Sequence, residues 1–234
     1  MRTPLSRIAD SWIAIATAMA VIAVTIPLFL NPIWVAFEQG RAQAAAWTGF
    51  SDADLRRATD SILSDLVFGP PDFAVEVAGS PVLEERERAH MRDVRDVFIA
   101  FFRVAQIAAI VALVIAWRRR RRADDRLATW RAVRAGALGL VATLLIAGVV
   151  ALVAFDALFE VFHRLLFAGG SYDFDPRTER LVQLFPFQFW QETAIAVGAV
   201  AVVVALVLAA VASRRLAAGP ARQAGPATLE SSRL

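Results

Sequence analysis

Four stretches of this chain, at roughly 11–37, 96–117, 135–162 and 187–213, are so long and apolar that they fix its solvent before any other feature is considered. About 20 apolar residues in a helix cross a hydrocarbon core of ~30 Å. In lipid a helix satisfies its own backbone hydrogen bonds, which an open strand does not. The mean hydropathy of +0.54 points the same way. The expectation is an all-α integral membrane protein with four transmembrane helices. Arg2 and Arg7 precede the first stretch and Ala18-Met19-Ala20 is rich in small residues, as in a secretory leader. The stretch outruns a leader's apolar region of about 7–15 residues, so an uncleaved span is expected.

Charge sets the orientation. The chain has no lysine, and its arginines are unevenly placed. Positions 1–10, 118–134 and 214–234 hold 14 arginines against four acids, whereas positions 36–96 hold twelve acids and seven arginines, and 156–192 six acids and three arginines. Arginine in short loops stays on the cytoplasmic side. Both termini are therefore expected inside the cell membrane and both acidic loops outside, with the run at 118–122 as an anchor near anionic lipid. This placement explains the high isoelectric point without a nucleic-acid partner. There is no cysteine, so the outer loops hold no disulfide and no thiol nucleophile. Their order must come from packing.

The domain expectation is a four-span unit over 1–215, with extracytoplasmic loops at 38–95 and 163–186, and a disordered cytoplasmic tail at 216–234. Within the first loop, Ser51 and Asp54 form a variant capping box. Leu55, Ala58, Ile62, Leu63 and Leu66 recur at helical spacing. They predict a short amphipathic helix resting on the bilayer or on the spans. Gly69-Pro70-Pro71 stops it, Phe73, Val75 and Val77 alternate like a short strand, and Gly79-Ser80-Pro81 reads as a turn. These elements make a small extracytoplasmic cap. Residues 84–88 read as a solvated helical extension of the second span. The third span is expected to leave the membrane through Asp156, Phe159, Glu160, Phe162 and His163. Acids at such a position are costly unless they face protein or water.

The two histidines are the chemical core of the chain. His90 precedes the second span and His163 follows the third, so single crossings bring both to one membrane face. Imidazole titrates near pH 6.5 and is a ready proton carrier. His90 and Asp93 share a helix face at i, i+3 spacing. From the residues alone, four readings stand. The histidines are unrelated interfacial residues; or, with Asp93 and Asp175, they bind a metal, although no spacing of the HExxH kind occurs. The outer serines, none in a nucleophile motif, supply a hydrolase; or the imidazoles do general acid–base work on a substrate that brings its own nucleophile.

A resemblance favours the last. His90-Met91-Arg92-Asp93-Val94-Arg95 ahead of a span is similar to one signature of the bacterial lipoprotein intramolecular transacylase family. Phe162-His163 with Phe167, then Phe174-Asp175-Pro176, Leu181-Val182 and Leu184-Phe185-Pro186, resembles the other. Both occur in order within a four-span pattern, leaving only the tail uncovered. Tyr172 stands where the family usually carries Trp, and Glu179 where Asp is common. The resemblance implies an acyltransferase that needs no metal and no cofactor. Its substrate is a diacylglyceryl-modified lipoprotein in membrane lipid, whose sn-2 acyl chain moves to the α-amine of the amino-terminal cysteine. His90 and His163 are then the expected catalytic pair, one as base toward the amine and the other as donor to the oxyanion and the departing glycerol oxygen. Either could be the base, and His163 is taken as base because Glu160 or Asp175 could fix its tautomer. Asp93 would orient His90, and Tyr172 completes the supporting set. The rival is a non-catalytic membrane scaffold or sensor that binds a partner through its outer loops, and histidines far apart would favour it.

Overall fold

The computed structural model describes residues 4–167 and 169–218. Four helices among them are long and apolar enough to cross a membrane. The first, α1 (Pro4–Thr25), runs into one tight turn at Ile26–Leu28. The span stops there, short of the expected 37, because the Pro27 and Pro32 nitrogens offer no helical N–H. Asn31 then starts a separate helix, α2 (Pro32–Arg41), its side chain accepting from the Ile33 and Trp34 N–H groups at 3.0 Å each. A short α3 (Ala44–Thr48) and the amphipathic α4 (Asp52–Val67) follow. Ser51 caps α4 through the Asp54 N–H at 3.2 Å, as the sequence predicts.

The strand is shorter than the alternation implies. Only Glu76–Val77 (β1) and Ser80–Pro81 (β2) pair, antiparallel, with Val77 opposite Ser80. Ala78 and Gly79 form the turn, both at positive φ (52° and 76°), the geometry a two-residue hairpin loop favours. Ser80 and Pro81 are thus a returning strand and not part of the turn.

Helix α5 (Glu85–Arg119) has 35 residues, about 52 Å at 1.5 Å each. Its charged first turns therefore project beyond the apolar run that begins at Val97. Helix α6 (Ala123–Val153) follows. The third span does not continue to 162 as expected. It breaks at Ala154 (φ −150°, ψ 47°), and α7 (Phe155–Leu166) is a separate amphipathic helix. The break frees Asp156 and Glu160 from the end of a span. A short α8 (Arg180–Leu184) leads through Pro186 into the last span, α9 (Phe187–Ala217). The tail expected at 216–234 lies outside the described residues from position 219 onward.

The spans pack through small side chains. Ala137 on α6 meets Ala201, Ala205 and Ala209 on α9, with Val21 of α1 closing the cluster. Close helix approach of this kind supplies the dispersion that holds helices together in lipid. At Gly136 a Cβ would stand 2.2 Å from the Ala14 carbonyl oxygen of α1. Only glycine fits there. The arginine-rich ends gather at one end of the bundle, where Arg119 of α5 reaches Asp10 of α1 at 2.6 Å. At the other end stands the cap, whose core includes fully buried Phe73, Ile62 and Leu184. The apolar face of α4 is covered by this core rather than by bilayer.

Candidate functional site

The structure brings both histidines together at the cap end of the bundle. His90 sits in the second turn of α5 and His163 near the end of α7. Their ring centroids are 6.1 Å apart and their planes differ by 26°. Both are buried, at 6% and 8% exposure. Aromatic rings wall the pair. Phe167 and Phe174 stand 4.9 and 5.4 Å from His90; Phe159 and Tyr172 stand 4.0 and 5.0 Å from His163.

The hydrogen bonding of the two rings differs. His163 Nδ1 lies 2.8 Å from the Phe159 carbonyl oxygen, one turn back on α7. A carbonyl only accepts, so Nδ1 carries the hydrogen and Nε2 keeps the lone pair of a base. His90 Nδ1 is buried and has no hydrogen-bond partner among the described residues. A buried polar atom left open in a site is where a ligand atom belongs.

Electrostatics keep both rings neutral near pH 7. Burial lowers the His163 pKa below its usual 6.5, against the Phe159 carbonyl and the Glu160 charge, which favour imidazolium. His90, in the turns that project beyond the apolar run, is lowered to about 4, first by burial and then by His163 and Arg86, with Asp93 opposing. Each imidazole thus discourages charge on the other.

The supporting residues fall differently from expectation. Asp93 is exposed and acts on His90 through charge. Glu160 accepts from Arg164 Nε at 2.7 Å and from the Tyr172 hydroxyl at 3.2 Å. It therefore holds Tyr172 against His163, while a backbone carbonyl sets the tautomer. Asp175 does not meet His163. Arg177, two residues away, donates to both Asp175 carboxylate oxygens, and the Asp175 backbone N–H donates to Glu179 at 2.6 Å.

Residues 84–88 are not merely a solvated extension. Glu87 is fully buried: its Oε1 accepts from the Leu181 N–H at 2.6 Å and its Oε2 from the Glu84 N–H at 2.7 Å. Arg86 donates to the Asp173 carbonyl at 2.9 Å and to Glu179, and its guanidinium lies 4.5 Å from the Phe174 ring centroid. The Glu84–Glu87 spacing is a capping-box signal visible in the sequence. The contacts with 173, 179 and 181 have no local signal.

Comparisons with known proteins identify the family and the fold. A family model described as lipoprotein intramolecular transacylase Lit matches residues 11–190. Among solved structures, the chain is similar to the membrane integral lipoprotein intramolecular transacylase Lit from Bacillus cereus, with a TM-score of 0.71 and 14% identity over 91% of this chain and 96% of that one. Two structures of that protein with single histidine substitutions match with TM-scores of 0.65 at 16% identity, over 91% of this chain and 92% and 94% of theirs. No curated protein matches.

Proposed function

The chain belongs to the lipoprotein intramolecular transacylase family, and from that premise we propose that it moves the sn-2 acyl chain of a diacylglyceryl-modified lipoprotein onto the α-amine of its amino-terminal cysteine, with His90 and His163 as the catalytic pair. The observation that carries this reading is the convergence of the chain's only two imidazoles, 6.1 Å apart and buried among aromatic rings.

The substrate supplies both reactants. An α-amine has a reference pKa near 7.7–8.0, so part of it is already free base near pH 7. As it attacks the ester carbonyl, His163 Nε2 takes the proton it gives up. The C–N bond forms and the C–O bond to glycerol breaks. His90, as a neutral imidazole, donates a hydrogen bond to the carbonyl oxygen as it gathers charge, and the imidazolium formed at His163 gives its proton to the leaving glycerol oxygen. That transfer returns His163 to the neutral base, and the net change is an acyl shift from oxygen to nitrogen. Nucleophile and electrophile share one molecule, so holding them in attack geometry carries much of the rate. Few polar residues are then needed.

The arginine distribution supports placing both termini in the cytoplasm and this site on the outer face. Close approach of the histidines removes the chief attraction of the scaffold reading. The test is mass spectrometry of lipoprotein amino-terminal peptides from a host without this activity, with and without the protein. N-acyl, S-monoacylglyceryl peptides are expected only with it. Their absence at normal expression and membrane insertion would overturn the proposal.

A further inference from the structure

A transacylase has a competitor at every turnover. Water can attack the same ester carbonyl, releasing a free fatty acid and leaving an S-monoacylglyceryl lipoprotein with its amine unmodified. A base that activates an amine activates water as well, so water must be kept from the pair. The cap carries a device suited to this. The segment bearing Tyr172 and Phe174 lies over both imidazoles, Tyr172 at 5.0 Å from His163 and Phe174 at 5.4 Å from His90. It is anchored to α5 one turn before His90. There Arg86 donates to the Asp173 carbonyl at 2.9 Å and grips Glu179, whose other oxygen accepts from the Asp175 N–H at 2.6 Å. The backbone on both sides of Phe174 is thereby fixed. The Arg86 guanidinium also lies against the Phe174 ring at 4.5 Å, a cation–π contact.

We propose that Arg86 is a positioning residue whose hold on Phe174 excludes water from the histidine pair, and so directs the acyl chain to the amine rather than to water. The inference rests on the transacylase reading of the site. It assigns work to a residue outside the pair and names the reaction being suppressed. Charged groups around His90 are consistent with it. Arg86 disfavours imidazolium there, as does His163 from α7, while Asp93 on the same helix opposes them.

The experiment uses the full chain in lipid vesicles with a synthetic diacylglyceryl lipopeptide. Mass spectrometry resolves the N-acylated product from the deacylated peptide with a free amine. Wild type should give almost entirely the first. Arg86→Gln and, independently, Phe174→Leu should raise the ratio of deacylated to N-acylated product roughly ten- to a hundredfold, the scale on which small displacements near a reaction act. Phe174→Tyr, which keeps an aromatic ring, should hold the wild-type ratio. A role confined to folding would lower total turnover and leave the ratio unchanged. That result in both Arg86→Gln and Phe174→Leu would overturn the inference while leaving the transacylase reading intact. If wild type formed no N-acylated product at all, the transacylase reading itself would fail.

Discussion

Replacing Glu87 tests how the two loops of the cap are joined. Its carboxylate is fully buried and accepts from two backbone donors, Leu181 N–H at 2.6 Å and Glu84 N–H at 2.7 Å. In Glu87→Ala both lose their acceptor, and a buried donor left unsatisfied costs about 1–3 kcal/mol. The expected loss is therefore about 2–6 kcal/mol, less whatever water recovers by entering. Glu87→Gln keeps one carbonyl oxygen but turns an NH2 toward the second donor, so roughly half that loss is expected. Glu85→Ala is the control, since that side chain is 71% exposed and pairs with Arg88 and Arg92 at the surface; its effect should be negligible. Thermal unfolding of the purified protein in detergent gives the order of the three, and amide hydrogen exchange at Leu181 localises it. Exchange there should quicken in Glu87→Ala and not in Glu85→Ala. If Glu87→Ala melts with wild type and protection at Leu181 is unchanged, the clamp has been misjudged and the loops are held by apolar packing alone.

Three further outcomes are expected. His90→Ala and His163→Ala should each lower N-acylation by about 10²–10⁴ with the protein still inserted, the double variant should be little worse than the worse single one, and chelator should change nothing; wild-type product from either single variant would end the paired mechanism. Because burial lowers the His163 pKa below its usual 6.5, the base is neutral near pH 7; kcat/KM should fall first as the substrate α-amine protonates below about 8, and steepen into a second, His163-dependent acidic limb only below about 6.5. Glu160→Gln removes a charge that favours imidazolium, so the acidic limb should move to still lower pH, and a move upward would refute the assignment of His163 as base. Cysteines placed at exposed Asp60 and Asp173 should react with an impermeant thiol reagent added outside, and one at Asp124 should not; the reverse pattern would invert the topology.

The spans were legible because a run of about 20 apolar residues has few alternatives; their ends were not. Pro27, Asn31 and Pro32 mark the first break with chain chemistry, yet the apolar residues beyond them, Trp34 and Phe37 included, extend the hydropathy. At Ala154 no breaker stands at all. The signal there was periodicity: Asp156, Glu160 and His163 recur at i, i+4 and i+7, while Leu158, Val161 and Leu165 fall on the opposite side. That is the pattern of an amphipathic helix, and a continuous span would have buried those acids in hydrocarbon. The histidine pair was readable because topology alone brings the ends of adjacent spans together. Its supporting contacts were not, because a carboxylate binds whichever donor the folded loop presents. Asp175 is taken by Arg177 from two residues away, a local competition of the kind short polar side chains usually win.

A cysteine-free cap must join its loops without covalent links, and the structure shows what replaces them. Gln39 donates to the Leu184 carbonyl at 2.9 Å, Glu87 accepts from the Leu181 N–H at 2.6 Å, Arg86 donates to the Asp173 carbonyl at 2.9 Å, and Arg180 donates to the Thr48 carbonyl at 2.8 Å. All four run from a side chain of one cap loop, or of the helix extending it, to the backbone of the other. A bond to backbone fixes the path of the chain whatever side chain it carries there, so the loops can vary in sequence while their course is kept. Two of these bonds come from Arg86 and Glu87, one turn before His90. The residues that order the second loop are therefore on the helix that presents the imidazole, and loosening the loop changes the surroundings of that ring directly.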